Sequence, residues 1–113
     1  MSAAQPEPAS DNTPDTRVPE ACRTMADVRA GVNATDAALV ALLATRFAYM
    51  RAAARIKPAR DAVRDEPRKA EVVELVRAEA QRLGLPADAI AAMWDDLVEA
   101  SIAYELEAFD RRG

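Results

Sequence analysis

The chain has 113 residues, enough for one domain, and half of them are apolar, with five aromatics and three glycines. Alanine, leucine, arginine, glutamate and aspartate dominate, with little β-branched content to build a sheet, so an all-α protein is expected. The net charge is −4, with no histidine and one cysteine, which excludes an intrachain disulfide, a Cys/His metal set and any histidine-based triad. No cofactor or metal is implied.

Residues 1–20 hold four prolines (Pro6, Pro8, Pro14, Pro19) among serine, threonine and acidic residues. Such a stretch buries almost nothing and is expected to be a disordered tail. It has no apolar segment of a secretory signal, and no apolar run further on looks long enough to span a membrane. A cytoplasmic protein without membrane contact is the expectation, with residues 21–113 as its folded domain.

The stretch Thr24–Lys57 contains no proline and repeats apolar residues three or four apart (Val28, Val32, Leu39, Leu42, Leu43, Met50, Ala53), the period of one helix face. Thr24 and Asp27 make an N-terminal cap, and Pro58 ends the helix. Gly31 and Asn33 are expected to let the first two turns fray or bend. Cys22, just before the cap, reads as a small buried or half-buried residue. A short connection covers residues 58–65. The second helix has Asp65 as N-cap and Pro67 in its first turn; it runs to about Leu83, with Gly84 just beyond. Leu85-Pro86 opens a third helix that carries Trp94, Leu97, Val98, Ile102 and Leu106 and runs to about Asp110.

Helices of about 34, 17 and 25 residues do not balance: the first, about 50 Å long, outreaches both partners while its apolar pattern continues. Such a stripe is normally covered by another chain, and a two-fold dimer with antiparallel long helices is the simplest closure.

Charge is unevenly spread. Arg46–Lys69 carries eight basic against three acidic residues, and Ala70–Gly113 four against ten. A local cationic segment in an acidic protein favours a small anion over a nucleic acid, which needs a broader basic surface. Arg46 and Lys57 lie 11 residues apart, about 20° apart in direction and about 16 Å along the axis. They share a face and can grip opposite ends of one anion. Arg29 points elsewhere and lies about 25 Å from Arg46, within reach of a second chain's site in an antiparallel dimer. Ser101 and Glu105 share a face of the third helix amid apolar residues, either inside a polar pocket or on a wet flank. Asp65 and Arg68 sit at the start of helix two, where free N–H groups favour an anion.

In order and spacing, this set resembles the small all-helical AroQ-type chorismate mutases and the related isochorismate pyruvate lyases. The residues that carry the resemblance are Asp27-Val-Arg29, Asp36 with Leu-Val-Ala-Leu-Leu-Ala and Arg46, Ala-Ala-Arg-Ile-Lys57, Val-Arg-Asp65 with Arg68, Gly84-Leu85, and Ser101-Ile-Ala-Tyr-Glu105. The resemblance implies an intertwined homodimer of three helices per chain, with Arg29 contributed in trans. It also implies that Arg29, Arg46 and Arg68 hold the two carboxylates of chorismate. Lys57 would donate to the ether oxygen and a carboxylate, Asp65 and Ser101 would line the site, and Glu105 would accompany the lysine. The catalytic set would then be Lys57, Glu105 and Arg46. The implied reaction is the pericyclic rearrangement of chorismate to prephenate, which needs no nucleophile and no general base.

Two positions depart from the family pattern. Many relatives carry glutamine where this chain has Glu105, and a glutamate donates only when protonated, so activity is expected to fall as pH rises through its titration. Many mutases carry a glutamate where this chain has Lys69, so the contact that glutamate makes to the ring hydroxyl is in question. The alternatives are an isochorismate pyruvate lyase giving salicylate and pyruvate, and a non-catalytic helical dimer that binds an anion or a protein.

Overall fold

A computed structural model describes residues 18–112. The expected tail, up to residue 17, lies outside the described residues. Pro19–Ala21 forms one turn of 3-10 helix, followed by three α-helices: α1 (Met25–Ile56), α2 (Glu66–Arg82) and α3 (Ala87–Arg111). A second 3-10 turn, Arg60–Ala62, lies in the connection between α1 and α2. The described residues contain no strand, so the fold is all-α. They divide into two compact units, one ending at Thr45 and one beginning at Arg46.

The first unit holds most of α1. Thr24 Oγ1 accepts from the Asp27 N–H at 3.1 Å, and the Asp27 carboxylate accepts from the N–H groups of Arg23 and Thr24 at 3.0 and 3.3 Å. This is a reciprocal cap, with a side chain one methylene shorter than the usual glutamate. Those backbone donors, Arg23 first and Thr24 second, hold the Asp27 carboxyl below the usual range. No break occurs at Gly31 or Asn33, where fraying or bending is expected, and the helix is continuous from Met25 to Ile56. A glycine costs about 1 kcal/mol in a helix interior, and the cap at one end and the alanine- and leucine-rich stretch at the other offset it. Gly31 is buried, and a shallow apolar recess is lined by Pro19, Cys22, Val28, Gly31 and Val32. Cys22 is half-buried, as expected.

The apolar side chains of this unit are largely uncovered: Val32, Leu39, Val40 and Leu42 are each more than half exposed. Helix α1 contains an 18-residue window of mean hydropathy 1.3, of which 6% is buried within the chain. By length and composition that window is apolar enough to cross a membrane, which corrects the expectation that no such run exists. The reading by unbroken apolar runs missed it because Asn33, Thr35, Asp36 and Thr45 interrupt the run without outweighing its alanines and leucines.

In the second unit, α2 packs on α3. Val63, Val98 and Ile102 form the buried cluster, with Val72, Trp94 and Leu106 against it. Asp65 caps α2 by accepting the Arg68 N–H at 3.0 Å. At the other end Gly84 takes φ +72°, a left-handed conformation that side chains with a Cβ rarely adopt. It lets the Leu85 N–H reach the Ala80 carbonyl at 2.8 Å and closes the turn into α3. The C-terminal end of α1 joins this unit through side chains. The Phe47 and Tyr104 rings meet edge to face at 4.9 Å, and Arg51 Nη1 donates to the Tyr104 hydroxyl at 2.7 Å. The buried apolar residues, Ala54, Val63, Ala80, Ala91, Val98 and Ile102, are mostly small.

Candidate anion site

A cavity of about 340 Å³ opens in the unit that begins at Arg46. Its size suits a small metabolite. Arg46, Lys57, Asp65, Arg68, Ser101 and Glu105, all singled out from the sequence, line it together with Lys69. The floor is apolar: Met50, Ala53, Val63, Val72, Val98 and Ile102. Arg29 is not among the lining residues.

Each polar group is set by its own element. Arg46 lies on α1 and Lys57 directly follows its last residue, at the spacing that turns both toward one side. Arg46 Nη1 donates to Ser101 Oγ at 2.6 Å, and Ser101 Oγ in turn donates to the Leu97 carbonyl at 2.7 Å. The serine hydrogen is therefore directed into the α3 backbone and its lone pairs toward the arginine. Ser101 and Glu105 are 3% and 4% exposed, so the wet-flank alternative is ruled out. Lys57 Nζ stands 2.8 Å from Glu105 Oε2 and donates to the Val63 carbonyl at 3.3 Å. Although the Lys57 ammonium is close, Glu105 Oε2 is buried without a hydrogen bond of acceptable geometry. The contact is an ion pair by distance, not a directed hydrogen bond, and Lys57 keeps donor capacity for a ligand.

Arg68, in the first turn of α2, is paired with Glu71 at 2.8 Å on the exposed side. Burial first, and the charge of Arg68 second, push the Arg46 guanidinium below its usual value. Two arginines that repel each other across a cavity make its electrostatics favourable to an anion.

Sequence reasoning missed the clamp along one wall. Lys69 Nζ lies 2.6 Å from Glu99 and 3.2 Å from Asp95, both on α3. Glu99 also takes both Arg64 amino groups, at 3.1 and 2.7 Å. Hydrogen bonds from Arg64 and then Lys69 bring the Glu99 carboxyl down to about 2. The same contacts, Glu99 first and Asp95 second, raise the Lys69 ammonium. The cationic run read from the sequence is therefore partly neutralised by α3: Arg64 and Lys69 are compensated by this clamp, and Arg60 pairs with Asp110. The excess of acidic residues after Ala70 hinted at such pairing but not at which residues meet.

Comparison with curated proteins gives no significant match. The family model for chorismate mutase type II matches residues 28–106, which takes in α1 from its first turn, all of α2 and most of α3. On that match the chain belongs to the chorismate mutase type II family.

Proposed function

We propose that the protein is a chorismate mutase, converting chorismate to prephenate in the cavity bounded by Arg46, Lys57 and Arg68. The observation that carries this reading is the convergence of those three cations on one small cavity with an apolar floor. That arrangement complements a compact dianion with a hydrocarbon ring. Family membership supports chorismate or a close isomer as that dianion.

The reaction is concerted. The ether C–O bond breaks as the new C–C bond forms, no proton moves, and nothing is oxidised. The protein acts by holding the reactive conformer and stabilising negative charge that grows on the ether oxygen. Arg46, oriented by Ser101, and Arg68, whose backbone N–H is fixed by the Asp65 cap, take the carboxylates. Lys57 supplies the donor to the ether oxygen, and Glu105 holds the lysine beneath it. The partner subunit's Arg29 completes the anion site in an antiparallel dimer. The uncovered apolar face of α1 supports that assembly, because α1 also carries Arg29 and Asp36, charges that a partner chain accommodates and a bilayer interior does not.

One observation favours the lyase alternative. Lys69, a cation already held by two carboxylates, stands in the cavity wall, and family mutases more often place a glutamate there. Incubating the purified protein separately with chorismate and isochorismate decides between them. Prephenate supports the mutase, salicylate with pyruvate the lyase, and turnover of neither rejects both.

A further inference from the structure

Pro58 stops α1, and in doing so it leaves a carbonyl without its helical partner. A helical C=O accepts from the N–H four residues on. For Ala54 that residue is Pro58, which has no N–H. Ala54 is 2% exposed, so water is a poor substitute, and an unpaired buried carbonyl is costly.

The missing donor comes from the far end of α3. Arg112 Nη1 donates to the Ala54 carbonyl at 2.9 Å and to the Lys57 carbonyl at 2.8 Å, with a longer approach of 3.5 Å to Arg55. Its guanidinium lies over the Phe109 ring, 3.8 Å from the centroid, which fixes the plane of the fork. Asp110, two residues earlier, grips Arg60 through two contacts of 2.9 and 3.3 Å. The last turn of α3, with Arg112 just beyond it, therefore holds the chain on both sides of Pro58.

The residue caught between these holds is Lys57. Its N–H is bonded to the Ala53 carbonyl at 2.9 Å, its own carbonyl is taken by Arg112, and its side chain reaches Val63 and Glu105. We propose that Arg112 is a positioning residue for Lys57: by replacing the donor that Pro58 lacks, it fixes the backbone from which the Lys57 ammonium projects into the cavity. A surface cap that only stabilised the fold would not single out this one ammonium. The effect on turnover rests on the mutase reading; the effect on Lys57 does not.

The full-length wild type is compared with Arg112→Met, which keeps the apolar stem without donors, and with Arg112→Lys, which keeps a cation and its donors. The chain has two lysines, Lys57 and Lys69, so lysine labelled with carbon-13 at Cε gives two signals. Lys69 serves as the internal reference, since Glu99 and Asp95 hold it independently of Arg112. In Arg112→Met the Lys57 signal is expected to move while that of Lys69 stays. With chorismate, kcat should fall about 10- to 100-fold with little change in KM, since a displaced donor acts on the transition state and leaves carboxylate binding intact. Arg112→Lys should recover most of both readouts. A folded Arg112→Met with an unmoved Lys57 signal overturns the proposal, as does a kcat loss that Lys does not restore. If Arg112→Met does not fold, Arg112→Gln carries the same expectations at smaller amplitude, and an unmoved Lys57 signal there overturns the proposal equally. Failure of the wild type to turn over chorismate rejects the mutase reading alone, and the lysine signals still decide the role of Arg112.

Discussion

Between Val18 and Thr45 the chain leaves most of its large apolar side chains in the open, whereas from Arg46 onward it builds a small buried core, with Tyr49, Ile56, Leu75, Leu83 and Met93 still exposed, and pairs many of its charges. In the first region Val32, Leu39, Val40 and Leu42 are all more than half exposed. In the second, Lys57, Arg60, Arg64, Arg68 and Lys69 each face a carboxylate. Arg46, at the cavity, faces no carboxylate: its partner is the neutral Ser101, and Arg68 repels it. The two regions lack different things. The first has no cover within the chain, and the second has a cationic cavity. The proposed dimeric enzyme with shared sites would account for both with one segment, because the uncovered helix also carries Arg29.

The largest effect should come from the uncovered region. Placing Asp at both Leu39 and Leu42 puts charges where burial of each leucine is worth roughly 1.5–3 kcal/mol. The variant is expected to sediment as a monomer and lose activity. A dimer of normal activity would mean that this face is not the interface. Next in size, Lys57→Ala should lower kcat about 10²- to 10³-fold, the usual loss on removing a preorganised donor. Mixing equal amounts of Lys57→Ala and Arg29→Ala chains should restore about a quarter of wild-type activity. Half of the dimers are then mixed, each with one complete site of two. No recovery from mixed dimers shown to form would sink the shared-site argument.

Smaller effects test the second region. Glu105→Gln keeps the size of the side chain but removes the charge beside Lys57, and is expected to change kcat with little change in KM. An unchanged kcat in the variant would remove Glu105 from the role. The smallest effect concerns the clamp. The Glu99 carboxyl lies at about 2 against an ordinary 4.5. A depressed carboxylate contributes stability that is fully present above its unfolded value and is lost as pH falls through its folded one. Thermal stability of the wild type should therefore decline between about pH 4.5 and 2, and Glu99→Gln should show less of that decline. Because the clamp is exposed, the shift is expected to be a few degrees at most.

The helices were legible because their signals are local. The Thr24–Asp27 cap, Pro58, the Asp65 cap and Gly84 act within one turn of themselves, and the boundaries they predict match the observed ones to within a residue or two. The pairing of Arg46 with Lys57 was also legible, since helical spacing alone turns them to one side. Gly31 misled because propensity counts one residue at a time, while a capped helix propagates through it.

By itself, the sequence determined the three helices, the cationic segment and the residue types that face the cavity. Periodicity and capping are properties of the chain over a few residues, and the ordered motifs were enough to point to the family. Only the tertiary structure decided which charges remain available. Whether Ser101 and Glu105 are buried, whether Lys69 is free or held by Glu99 and Asp95, and what replaces the N–H that Pro58 lacks all depend on residues far away in sequence, from 26 positions for Lys69 and Asp95 to 58 for Arg112 and Ala54. Contacts at that range are set by how helices pack, and no local pattern encodes them.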